Sequence, residues 1–287
     1  MRTLKRTIAT AIGLAAMAGA AQSAVVYSLA NDGRTLIHFD SATPGAVISA
    51  PISGAVPTLS GLDFRPADGM LYGYRPASNG IYQVNPSTGV TTLVSTPTTG
   101  STSSNLGIDF NPVADRMRLV NGNDQNLRIN VATGATTVDG PLAFAAGDAN
   151  AGADPNVIDA GYTNSRAGAA STKLYYIDYV LDVLLTTTAP NAGTLTTVGA
   201  LGIDADIFTG FDIFTAPDGS NTAYASFHDS LYTINLATGA ATLVGGIGAT
   251  LTYGLAVALV PEPGSLALVA AGLAAFGLRR RGAIGQR

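Results

Sequence analysis

From Val25 onward, apolar and polar residues alternate in short runs bounded by Gly, Asn, Asp, Pro or Thr. A period of two marks half-buried strands, and helical spacing is nearly absent. One unit recurs: an alternating strand ends in a polar residue, a few residues lead to Gly, and a Thr-rich strand follows. It reads Leu36 to Asp40 with Gly45, Ile81 to Asn85 with Gly89, Leu127 to Asn130 with Gly134, Leu181 to Leu184 with Gly193, and Leu231 to Asn235 with Gly239. These glycines are 44, 45, 59 and 46 residues apart, so an insertion lies between the third and fourth copies.

Two further strands precede each of the last four copies. Gly61 to Phe64 runs before Met70 to Tyr74, Gly107 to Phe110 before Met117 to Val120, Val157 to Ala160 before Leu174 to Ile177, and Gly210 to Ile213 before Ala223 to Phe227. Four strands per unit and a period near 45 residues predict a β-propeller blade, which is longer than a β-helix rung. The first copy begins with only its second strand, Val25 to Leu29, and the missing partner is found at the far end as Tyr253 to Val257. The prediction is an all-β, five-bladed propeller of four-stranded blades over residues 25–259, closed by N- and C-terminal strands sharing one blade. Such closure leaves no open sheet edge and ties the chain ends together. Hairpin turns with positive φ are expected at Asn31-Asp32-Gly33, Asn79-Gly80, Asn121-Gly122, Thr88-Gly89, Thr133-Gly134 and Thr238-Gly239. Residues 140–172, rich in Ala, Gly and Asn, are expected to form a long loop.

The two ends have a different character. Arg2, Lys5 and Arg6 precede an uncharged stretch from Ile8 to Ala21, followed by small residues, the layout of a signal peptide over residues 1–24 with a cut after Ser23 or Ala24 by signal peptidase. At the other end, Val260-Pro261-Glu262-Pro263 leads into the uncharged stretch Ser265 to Leu278 and then Arg279-Arg280-Arg281. This tail, residues 260–287, resembles the PEP-CTERM sorting signal of Gram-negative bacteria. The resemblance implies export, transient insertion of a C-terminal membrane helix in the inner membrane, and cutting by an exosortase near the Pro-Glu-Pro. The mature form would then be extracellular or attached to the cell surface. The arginines fit the positive-inside bias, and the prolines stop the preceding strand from running on.

Composition narrows the chemistry further. The 287-residue chain has no Cys and no Trp, which excludes disulfides, thiolate metal sites and Cys nucleophiles. Residues 25–259 hold eight Arg and Lys against eighteen Asp, a formal charge of −10, so nucleic acid is not an expected partner. Within this region Leu106 to Arg116, Gln125 to Arg128, Ala160 to Ser165, Gly193 to Leu195, Gly199 to Gly202 and Gly210 to Ile213 resemble DUF4394, a domain of unknown function. The resemblance implies a secreted β-rich domain and brings no catalytic residue.

Asp63, Asp109, Asp159 and Asp212 occupy matching places in four units, with Ala256 in the fifth. If the first strand lines the axis they are channel carboxylates, with three readings: clamps on the neighbouring blade's backbone, a cation site, or an acid/base pair for glycoside cleavage. Recurrence favours clamps, because catalysis needs one acid and one base in different environments. Asp148, Asn150 and Asp154 alternate around Gly152 as oxygen donors do in calcium loops, but no acidic residue closes the loop, so a solvated turn is the competing reading. His38 and His228, the two histidines, fall in different units, and no HExxH, GxSxG or Walker pattern is present. Arg116, Arg118 and Arg128 are expected to pair with nearby Asp, and the tyrosines to pack between blades. The function expected is a non-catalytic binding or matrix protein, with exopolysaccharide as a candidate partner and Ca²⁺ as a candidate ion. The alternative is a glycan-directed hydrolase using the channel carboxylates.

Overall fold

In the computed structural model, residues 23–30, 32–249 and 251–259 are described, and they form five antiparallel sheets around one axis. The N-terminal strand Ala24–Ala30 is sandwiched between Thr35–Asp40 and the last strand, Tyr253–Leu259, in blade 1. Blades 2 to 5 follow in chain order, each starting from its innermost strand: Gly61–Phe64, Leu106–Asn111, Val157–Tyr162 and Thr209–Thr215. The five-bladed fold and its shared closing blade are therefore as the repeat predicts. Blades 2 and 4 differ by gaining a short outer strand each, Ser53–Gly54 and Ala143–Phe144, pairing parallel to the fourth strand. Among the described residues there is no α-helix, only single 3₁₀ turns at Pro76–Ser78 and Pro190–Ala192, and no helix long and apolar enough to cross a membrane. The expected signal helix and membrane helix, with Val260 to Pro263 and Arg279 to Arg281, lie outside the described residues.

The core is divided into five apolar clusters, one for each blade-to-blade interface. Leu29 and Leu36 meet Leu62, Leu71 and Tyr82 between blades 1 and 2. Tyr72 and Ile81 meet Ile108, Phe110 and Leu119 between blades 2 and 3. Val26, Ile37 and Phe39 meet Phe214, Tyr224 and Leu231 between blades 5 and 1, so the closing interface is as apolar as the others. Alternation makes this possible, because each strand offers one set of side chains to each flanking blade.

The repeated Asn and Gly also gain a reason. Asn85, Asn130 and Asn235 each accept two backbone N–H bonds within the following turn through Oδ1. Gly89 and Gly134 then sit at φ 69° and 73°, and a Cβ there would come within 2.4 and 2.2 Å of the carbonyl oxygens of Pro51 and Thr96 in the preceding blade. Only glycine meets both demands. At Asn121-Gly122 the positive φ falls instead on Asp124, at 58°. The 140–172 segment is less open than expected, since it contains Ala143–Phe144 and the innermost strand of blade 4.

Candidate functional site: carboxylates on the propeller axis

An innermost strand has an inward edge with no further strand to receive its N–H groups, so buried donors there need acceptors. The four aspartates supply them across the blade boundary. Asp63 Oδ2 accepts from Phe110 N (2.8 Å), Asp109 Oδ2 from Tyr162 N (3.2 Å), Asp159 Oδ2 from Phe211 N (2.9 Å) and Asp212 Oδ2 from Val257 N (2.6 Å). Each carboxylate thus joins its own blade to the next one, and all four side chains are buried.

The four are not at one height. Asp63 faces Tyr72 on the second strand, Asp109 faces Arg118, Asp212 faces Tyr224 and Ala256 faces Tyr27, whereas in blade 4 the residue facing the equivalent Tyr175 is Gly161. The order Gly-x-Asp of Gly61-Leu62-Asp63, Gly107-Ile108-Asp109 and Gly210-Phe211-Asp212 is reversed in Asp159-Ala160-Gly161. Asp159 accordingly lies one step along the axis, beside Gly107, where a Cβ would stand 2.1 Å from its Oδ1. One level of the axis therefore holds Asp63, Asp109 and Asp212 with two small residues, Gly161 and Ala256. An oxygen from each of these three aspartates lies within 4.8 Å of the others, and among the described residues they form the one such acidic or metal-ligating cluster.

The second oxygen of each carboxylate separates Asp109 from the rest. Asp63 Oδ1 accepts from Phe64 N, Asp159 Oδ1 from Ala160 N and Asp212 Oδ1 from Ile213 N, in each case the N–H of the next residue. For Asp109 that donor, Phe110 N, is already given to Asp63. Asp109 is the one aspartate whose predecessor at the same level also bears a carboxylate, and its Oδ1 is left buried with no partner. Burial pushes Asp63, Asp109 and Asp159 well above the usual carboxylate range, with the charge of Asp212 adding to each. Asp212, likewise by desolvation, is pushed up to about 7.

The axis opens at both ends. A cavity of about 310 Å³ at the start of the inner strands is lined by Asp32, Ser60, Asn105, Phe208, Thr209 and Tyr253. One of about 340 Å³ at their other end is lined by Phe64, Arg65, Arg166, Ile213, Thr215 and Val257. The three-carboxylate level lies one residue from the second, through Phe64, Ile213 and Val257.

The other singled-out residues are held elsewhere. Asp148 Oδ2 accepts from Thr197 N, and its Oδ1 accepts from Asn150 N and Thr197 Oγ1. Asn150 Nδ2 donates to Thr197 Oγ1, and the Asp154 carbonyl accepts from Asn156 Nδ2. Through Thr197, Asp148 and Asn150 pin the insertion to the fourth strand of blade 4, Thr194–Ala200. His38 stacks on Tyr27 with ring centroids 5.1 Å apart, and His228 lies 2.8 Å from Asp206, a blade away from His38. Arg118 is the buried staple that sequence reasoning placed only as an ordinary ion pair. Its guanidinium, 1% exposed, donates to Asp139 (2.8 Å), Asn126, Tyr162 Oη and Asn191, tying blade 3 to blade 4. Arg128 shares Asp139, while Arg116 bonds to the carbonyls of Ala114 and Asp115.

Fold and axis together define a five-bladed β-propeller whose inner strands are laced by buried aspartates. The chain belongs to the DUF4394 family, a domain of unknown function, whose model matches residues 35–256, and it carries a PEP-CTERM protein-sorting motif at 259–281. No curated protein matches it. Among solved structures, a catalytically inactive virginiamycin B lyase from Staphylococcus aureus with quinupristin is 12% identical, with a TM-score of 0.42 over 85% of this chain and 72% of that one. A nidogen/laminin complex gives 13% and 0.48 over 82% and 85%. A structural genomics protein of unknown function from Bacteroides thetaiotaomicron gives 14% and 0.49 over 79% and 62%. The sorting motif marks the chain for export, membrane-associated sorting and exosortase processing.

Proposed function

We propose that the exported propeller is a non-catalytic binding protein of the cell surface or of the extracellular polysaccharide. The observation that carries this reading is the state of the axial carboxylates beside a sorting signal. Asp63, Asp159 and Asp212 have both oxygens engaged by backbone N–H groups, and all four are at most 4% exposed. An acid/base pair for glycoside cleavage needs room for substrate and water between its carboxyls. The first axial cavity suits a sugar better. It offers the hydroxyls of Ser60 and Thr209, the amide of Asn105, and the rings of Phe208 and Tyr253, a mixture of stacking and hydrogen-bonding groups.

The test is calorimetry and co-sedimentation of the purified protein with the host's own exopolysaccharide and cell-surface fraction. Binding that weakens at least tenfold in Asn105→Ala and Phe208→Ala is the expected result. Absence of affinity for either fraction overturns the reading. A hydrolase remains the second reading because Asp212 is held near neutrality, where it can carry a proton. It requires turnover of a glycan panel that disappears in Asp212→Asn, and we expect none.

A further inference from the structure

We propose that Asp63, Asp109 and Asp212 form a single binding site for a divalent, oxygen-seeking cation of the Ca²⁺ class, on the axis of the propeller. The proposal is independent of the sugar-binding reading and concerns a different part of the channel.

Two observations carry it. The first is geometric: three carboxylates from three different blades bring one oxygen each within 4.8 Å of the others. Ca²⁺ accepts irregular sets of oxygen ligands at about 2.3–2.6 Å, which suits three carboxylates held by separate blades, whereas Mg²⁺ demands a near-ideal octahedron at about 2.1 Å. The second is the buried Asp109 Oδ1, the oxygen that has no hydrogen-bond donor because Phe110 N is given to Asp63. A partnerless carboxylate oxygen in a dry interior is costly unless it meets a proton or a cation. Gly161 and Ala256 complete the same level of the axis and bring no side-chain ligand, so further ligands would be backbone oxygens or water. The donor set is oxygen alone, with both histidines elsewhere and no cysteine in the chain, which disfavours Zn²⁺ and Cu²⁺. Buried ligands drawn from separate blades would couple binding to closure of the ring, so the ion would act as a hub in place of a disulfide.

The experiment uses the purified protein, first assayed for bound metal by elemental analysis, then stripped with EDTA and titrated with CaCl₂ and separately with MgCl₂. We expect about one Ca²⁺ per chain with a Kd at or below about 1 mM, the range of extracellular calcium modules. Saturation should raise Tm by at least about 3 °C, with a smaller rise for Mg²⁺. In Asp109→Asn the amide oxygen can still accept from Tyr162 N while the amide N–H₂ faces its acidic neighbours. That variant should fold, match or exceed the stripped protein in Tm, and lose the Ca²⁺ response. Asp159→Asn, one level away, should keep it. No Ca²⁺ heat and no Tm shift up to 10 mM CaCl₂ (roughly tenfold over the weakest such modules), or an undiminished response in Asp109→Asn, overturns the proposal and leaves proton sharing as the fate of Asp109 Oδ1. Should Asp109→Asn fail to fold, Asp63→Asn, which removes another of the three carboxylates while its amide oxygen can still accept from Phe110 N, serves as the same test.

Discussion

At the scale of the residue, Asp159 shows how one carboxylate can be both a fastener and a liability. Its two oxygens hold Ala160 N and Phe211 N, yet burial raises its affinity for a proton, and the charge of Asp212 adds to that. Asp63 and Asp109 face the same axis, and no cationic side chain contributes to the shift. A group whose folded pKa lies above its unfolded value binds more protons in the native state. Its stabilising contribution is therefore complete below the unfolded value near 4 and declines as pH rises through the raised folded value. Measured against Asp159→Asn, the wild-type protein should lose Tm progressively from about pH 4 upward, so that the gap between the two moves in the variant's favour at pH 8. Melting curves from pH 4 to 8 decide it: a gap that is constant, or that moves toward the wild type with rising pH, contradicts the assignment.

At the scale of the element, inner strands are close enough that glycine is required for reasons other than turning. A Cβ on Gly107 would lie 2.4 Å from the Asp159 Cα, a clash with backbone that no rotamer can relieve. Gly107→Ala should cost roughly 3 kcal/mol, seen as a Tm fall of about 10 °C, whereas Gly69→Ala, in open space but at φ 69°, should cost about 1 kcal/mol. Equal losses in the two would remove the packing argument. Arg118→Ala leaves Asp139 facing Arg128 alone and strands the buried Asn126 Oδ1, a change of about 3–5 kcal/mol by analogy with broken buried pairs. A loss under about 1 kcal/mol would mean that the network is dispensable. Much of this layer is legible in the chain itself. The Asn-to-Gly unit gives the hairpins, and the recurring Asp gives the inner strand. The step of Asp159 was hidden because motif matching aligns Val157-Ile158-Asp159-Ala160 with its counterparts by the acid, while the structural equivalence follows the glycine and the facing tyrosine. The signal was present as the reversed order Asp159-Ala160-Gly161. The Arg118 staple was not readable, because its partners Tyr162 and Asn191 are 44 and 73 residues away.

At the scale of the whole molecule, the ring is only as strong as its seam, and the seam is made by the first and last strands of the described chain. Ala24 pairs with Leu259 at one end of the shared ladder and exchanges hydrogen bonds with Ser41, while Val257 N is the donor to Asp212 on the axis. The sorting motif begins at residue 259, the last residue of that closing strand. A cut after Ser23 keeps Ala24 in the ladder, whereas a cut after Ala24 removes it, and loss of residues 257–259 would deprive Asp212 of its interblade donor. Intact-mass measurement of the exported protein should therefore give a chain that starts at Ala24 and ends beyond Leu259. A product starting after Val26 or ending before Val257 would show that the ring is sealed in some other way. The matching engineered test is a stop codon after Thr252, which removes the whole innermost strand of blade 1 and exposes the flank of Phe214 and Tyr224 that Leu255 and Val257 cover. Losing Leu255 alone is a burial loss of about 2–5 kcal/mol on the scale of Leu→Ala changes, comparable to the net stability of a typical domain. The truncated chain should lack a cooperative melting transition, and a sharp transition within a few degrees of the intact protein would refute the dependence of the ring on its seam.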